Sequence, residues 1–141
     1  MNSFINTREW PIARLVMPDE VADHEAQGHI ACLAALYEPR EPFVLLMAGA
    51  ELPRHSPAFM KAYVEWSMGT LDLAREYCLG AIRVEPDSHL RQGYQERAAK
   101  ALEAGTQPYP YEIVADEDAA SELARHWLAV TATAPSDSAA S

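Results

Sequence analysis

The chain has 141 residues, 21 of them acidic and 11 basic, for a net charge of −10. That length suits one domain, which can bury roughly 68–70% of its unfolded surface without disulfide or metal staples. The charge repels phosphate backbones and anionic bilayers, which argues against nucleic acid or a lipid surface as partner, and the longest apolar run, Phe43 to Ala50, is far too short to span a membrane.

The opening segment, Phe4–Trp10, is compatible with a short antiparallel edge strand. Pro11 introduces a strand over Ile12–Met17, with Arg14 pointing away from the apolar side. Pro18-Asp19 opens a helix with Asp19 as the expected N-cap. Its stripe is Ala22, Ala26, Ile30, Leu33, Ala34 and Tyr37, and Pro39 ends it. Phe43–Ala48 is apolar on both faces, as a central parallel strand covered above and below would be. A loop, Gly49–His55, follows. Ser56-Pro57 then reads as a cap with proline at the first helical position.

From Ser56 to Cys78 the chain carries two apolar seams at helical spacing. One is Phe59, Tyr63, Trp66, Leu73 and Tyr77, with Thr70 in its gap. The other is Met60, Val64, Leu71, Ala74 and Cys78, with Ser67 in its gap. Lys61, Glu65, Asp72, Arg75 and Glu76 form a solvated third face. A helix lying on a sheet usually buries one stripe, so the surplus seam points to a partner surface.

Gly80 marks the turn into a strand over Ala81–Glu85, where Ile82 and Val84 alternate with Arg83 and Glu85 and imply one wetter face. Pro86-Asp87-Ser88 starts a helix over Ser88–Ala104 with a thin apolar side, expected to be peripheral, and Gly105 is its stop signal. Pro108-Tyr109-Pro110 precedes the last strand, Tyr111–Ala115, whose prolines suit an edge. The final helix, about Asp116–Val130, buries Ala120, Leu123, Ala124, Trp127 and Leu128. The small polar residues 131–141 read as a disordered tail. The fold class implied is α/β: one domain over residues 1–130, with a four- to five-stranded, mainly parallel sheet and about four helices.

Motifs for chemistry are few. There is no dinucleotide fingerprint, phosphate-cradling loop or nucleophile elbow, so no cofactor is expected. His24 and His29 are spaced so that they diverge on a helix, and Cys32 and Cys78 lie in no zinc-like pattern; no metal is expected. The cysteines read as reduced, buried hydrophobes. With no basic region leading into an apolar stretch at the N-terminus, they fit a cytoplasmic setting. Loops following parallel strands gather at one edge, where α/β ligand sites form. Arg54, His55 and His89 are therefore the ligand-binding candidates, with Asp19, Glu20, Glu51, Asp87 and Asp116 nearby. A histidine beside a carboxylate there could work as an acid–base pair, although Asp19, Asp87 and Asp116 are explained as helix caps.

Several features together resemble the STAS and sporulation anti-sigma-factor-antagonist-like superfamily, in particular its short bacterial members without an assigned activity. They are Trp10-Pro11 before the first strand, the run Phe43–Met47, the aromatic helix with Trp66, Cys78-Leu79-Gly80-Ala81, and Ala119-Ala120 with Trp127-Leu128. The resemblance spans most of residues 7–129. Members that act as phosphorylation switches carry an Asp-Ser-Ser/Thr-Gly-like motif between a strand and its helix. The matching segment here, Gly49–Ser56, lacks it, and Ser56 reads more simply as a cap than as a phosphoserine.

Three functions are consistent with the sequence. The first is a non-enzymatic interaction module that forms a homodimer, or meets another protein, through Phe59, Tyr63, Trp66, Leu73 and Tyr77; four aromatics left open would exceed the patch that monomers tolerate. The second is a carrier of a small apolar ligand or lipid between this helix and the sheet, as related folds are. The third, and weakest, is a small enzyme at the strand-end edge.

Overall fold

Strand and helix signals alternate along the chain, and the fold follows that order. A computed structural model describes residues 4–49, 53, 55–105 and 108–133. Its strands are β1 (Ile5–Glu9), β2 (Ile12–Met17), β3 (Phe43–Gly49), β4 (Cys78–Val84) and β5 (Tyr111–Val114). Its α-helices are α1 (Ala26–Ala35), α2 (Pro57–Gly69), α3 (Leu71–Tyr77), α4 (Ser88–Ala104) and α5 (Glu117–Thr133), with a 3-10 turn at Asp23–Glu25. The strands lie side by side in chain order. β1 is antiparallel to β2, and β2 to β5 are parallel. Right-handed crossovers that always step the same way place their helices on one face. Accordingly α1, α2 and α3 cover one face, and α5 covers the other.

The two faces are packed differently. On the α5 face the helix comes close to β3 and β4, because the contact residues are small. Ala120 and Ala124 have no exposed surface, and the Trp127 ring lies where a Cβ at Gly80 would be. On the opposite face α2 leans on α1 rather than on the strands. Large side chains fill the space beneath it: Phe59 is fully enclosed among Phe4, Leu15, Met17, Val21 and Ile30, while Tyr63 and Trp66 pack alongside.

The central strand is as apolar as its sequence implied: Phe43 to Leu46 are all buried. Arg14 points to the α5 face, where it pairs with Glu117 at 2.9 Å and Glu9 at 3.3 Å. Asp87 and Asp116 cap their helices by accepting the Leu90 and Ala119 amides at 3.0 and 2.8 Å. Gly105 ends α4 with φ +76°, the left-handed stop that glycine takes without strain. α4 has no fully buried residue, and β5 is an edge strand.

Several expectations need correcting. Asp19 is an exposed bend residue and not a cap; α1 begins at Ala26, after the 3-10 turn, and Val21 is buried in place of the exposed Ala22. The long helix from Ser56 divides at Thr70. There the Thr70 hydroxyl donates to the Trp66 carbonyl at 2.8 Å, a back-bond that bends helices, directly after the helix-weakening Gly69. Cys78 is already in β4. Arg83 does not lie on a wetter face: it is 1% exposed. The final helix runs to Thr133 rather than Val130, and the rest of the expected tail lies outside the described residues.

Candidate functional site

The division of the helix at Thr70 and the stand-off of α2 leave a cavity of about 270 Å³ between α1, α2, α3 and the sheet. Its floor is Leu15, Met17, Leu45 and Met47 from β2 and β3. α1 and the residues just after it contribute Leu33, Leu36 and Tyr37; α2 contributes Tyr63, Trp66, Ser67 and Met68. Thr70, Leu71 and Ala74 belong to the helix junction and α3, and Pro108-Tyr109 arrives from the segment before β5. Met68 is 66% exposed, so the mouth lies at the junction of α2 and α3. Two larger hollows, of about 520 and 560 Å³, are open surface grooves. One runs between α4 and β5. The other lies beside β1 and includes Cys32 and Trp10.

Four aromatic rings wall the enclosed cavity. Tyr63 and Trp66 have centroids 6.1 Å apart, and Tyr37 and Trp66 6.2 Å, both pairs tilted. Ser67 and Thr70 spend their hydroxyl protons on backbone carbonyls of α2. Among the described residues no hydrogen bond engages the hydroxyls of Tyr37, Tyr63 or Tyr109. Nor, among these residues, is any buried polar side-chain atom left without a partner.

The phenols also share one low-dielectric environment. Burial raises Tyr37 above the ordinary phenol range, and Cys78 and Tyr63 raise it further. Tyr63 is raised by burial and then by Tyr111. Tyr109 is only partly buried as a residue, since it lines two hollows, yet its hydroxyl lies deep. It is held well above the phenol range by burial, then by Cys78, Tyr63 and Tyr37. Burial also pushes the Cys78 thiol up to about 12.

These shifts predict alkaline lability. In the folded state each group favours its neutral form. Below pH 9, near the ordinary thiol value of 9.0, both states are protonated and the stabilisation is intact. As pH rises from about 9 to 12 the unfolded chain ionises first and binds fewer protons, so stability falls. Absorbance titration at about 295 nm should show Tyr37, Tyr63 and Tyr109 ionising only with the loss of structure reported by circular dichroism. Ionisation of all six tyrosines near pH 10 with the fold intact would contradict this.

The other candidates are not brought together. His55 and His89 are both exposed, neither makes a hydrogen bond or ion pair among the described residues, and neither lines any of the three hollows. Arg54 and Glu51 lie outside the described residues. No group of three or more His, Cys, Asp or Glu among the described residues could hold a metal ion. His29 donates from Nδ1 to the Glu25 carbonyl at 3.0 Å and packs edge-on against Phe4. Cys32 and Cys78 are unpaired. Ser56 stands at the start of α2 but makes no side-chain cap; its hydroxyl is buried and accepts the Val21 amide at 2.8 Å.

Of the residues assigned to an interface, Phe59 has no exposed surface to offer a second chain. Tyr63 and Trp66 face the cavity, and Leu73 and Tyr77 pack at the margin of the core around Phe43. The exposed large hydrophobic residues of α2 are Val64 and Met68, at 52% and 66%. Sequence reasoning missed Tyr37 and Tyr109 as cavity walls. The signal was present: both are tyrosines at positions where a helix stripe or a proline-flanked turn calls for a plain hydrophobe.

Among the described residues no helix is long and apolar enough to cross a membrane. Comparison with models of known protein families, with curated proteins and with solved structures finds no match.

Proposed function

We propose that this protein is a non-enzymatic binder of a small, mainly apolar ligand, held between the α1–α3 layer and the sheet. The observation that carries the reading is the enclosed cavity of about 270 Å³ walled by Tyr37, Tyr63, Trp66 and Tyr109. An apolar cavity of about 150 Å³ already accepts benzene, so this one suits a molecule of one or two rings. Ligand pockets are typically apolar hollows with a few convergent polar groups, which is the chemistry of this wall. The likeness to the STAS-like superfamily is in keeping with a non-enzymatic bacterial module, and the unpaired cysteines support a reducing, cytoplasmic setting. With the Asp-Ser-Ser/Thr-Gly-like motif missing and Ser56 buried, a phosphorylation switch is disfavoured.

A second reading keeps self-association through α2, moved from its aromatic seam to its outer ridge. Val64 and Met68, four residues apart, give that ridge an exposed apolar edge.

Native mass spectrometry of the purified full chain tests both. The ligand reading predicts a co-purified small adduct that disappears in Ala74→Leu, a variant that fills the cavity from α3. Repeated preparations without an adduct would count against it, and an adduct surviving in Ala74→Leu would place the site elsewhere. The same spectra give the assembly mass; twice the chain mass supports the second reading, and a monomer at micromolar concentration removes it.

A further inference from the structure

If the cavity is a ligand site, its polar groups define what it takes. Tyr37, Tyr63 and Tyr109 reach it from three different elements, and none of their hydroxyls is engaged by the protein among the described residues. The remaining wall hydroxyls, on Ser67 and Thr70, already donate to the Val64 and Trp66 carbonyls. Among the described residues no charged side chain lines the cavity, so an ionised ligand would find no countercharge from them in a low-dielectric space. The tilted rings of Tyr37, Tyr63 and Trp66 form flat apolar walls against which another ring system can lie. We propose that the cavity selects an uncharged ligand of one or two rings bearing a hydrogen-bond-accepting oxygen, such as a ketone, which the hydroxyls of Tyr37, Tyr63 and Tyr109 hold against Trp66. The phenols are the donors. Because they are protonated throughout the neutral range, that recognition does not vary with pH near 7.

The inference rests on the ligand-binding reading above, and one pair of probes separates the two. α-Tetralone and tetralin have nearly the same size and differ by one carbonyl oxygen. Titration of the full chain, followed by calorimetry and tryptophan fluorescence, should give at least tenfold tighter binding of α-tetralone, equivalent to about 1.4 kcal/mol. The Tyr37→Phe/Tyr63→Phe/Tyr109→Phe variant should bind the two alike. Should that variant fail to fold, Tyr63→Phe and Tyr109→Phe made singly should each reduce the preference about threefold or more. Equal binding of both probes by the unaltered chain would overturn the oxygen selection and leave the cavity reading standing. Binding of neither would overturn both. A full preference retained in the Phe variants would show that the phenols are not the donors.

Discussion

Phe59→Ala is expected to cost about 3–5 kcal/mol of folding stability, the range for truncating a fully buried aromatic, and the loss should not depend on protein concentration. Phe59 is 0% exposed. Its ring stacks on Tyr63 at 5.8 Å with 18° between planes and meets His29 edge-on at 6.2 Å. Around it lie Phe4, Leu15, Met17 and Val21, contributed by the residue before β1, by β2 and by the segment that follows β2. Such a site cannot collapse without moving several elements, so the cavity left by truncation persists. Urea unfolding at two protein concentrations, ten- to a hundredfold apart, measures the effect. A loss under about 1 kcal/mol would show that the ring is not a core residue. A midpoint that rises with concentration would show that a second chain contributes to its burial.

Arg83→Ala is expected to lose a similar amount, about 3–5 kcal/mol, through a different mechanism. Arg83 is a buried cation that joins three elements. Its Nη1 donates to the Gly49 carbonyl at 2.9 Å and its Nε to the Tyr111 hydroxyl at 3.2 Å. The guanidinium also lies 4.7 Å from the centroid of the Tyr94 ring, a cation–π contact. The end of β3, the start of β5 and α4 thus converge on one side chain of β4. Truncation leaves a void and withdraws donors from two partly buried oxygens, each lost hydrogen bond being worth about 0.5–1.5 kcal/mol. Arg83→Met refills much of the void without restoring the donors, so it should lose only about 1–3 kcal/mol. Arg83→Lys keeps the charge but not the planar fork that reaches both oxygens. Equal losses for Ala and Met would mean that the void contributes nothing. A loss below about 1 kcal/mol for Ala would mean that the tie itself is not stabilising.

Much of the fold was legible locally. The two-faced apolar run at Phe43–Leu46, the outward Arg14, the caps at Asp87 and Asp116 and the stop at Gly105 all depend on a residue and its near neighbours. Periodicity and cap chemistry are properties of short segments, so they survive without knowledge of the rest of the chain.

The candidate site was legible only in part. The Ser56–Cys78 segment showed that its two seams were more than one sheet face needs, but not which would turn inward. Tertiary packing decided that. The small residues Gly80, Ala120 and Ala124 let α5 close on one face, while Phe59, Tyr63 and Trp66 hold α2 away from the other. Thr70 then divides the helix over the gap. Arg83 could not be read as buried, because its partners Gly49, Tyr94 and Tyr111 lie on three other elements. Tyr37, Tyr63 and Tyr109 likewise share no local pattern. The sequence by itself determined which residues are apolar and where most elements begin and end to within a few residues, since those are nearest-neighbour properties; the late start of α1 at Ala26 and the break at Thr70 were the exceptions. Only the tertiary structure decided the spacing between layers, which depends on the summed size of side chains from several elements, and that spacing creates the cavity.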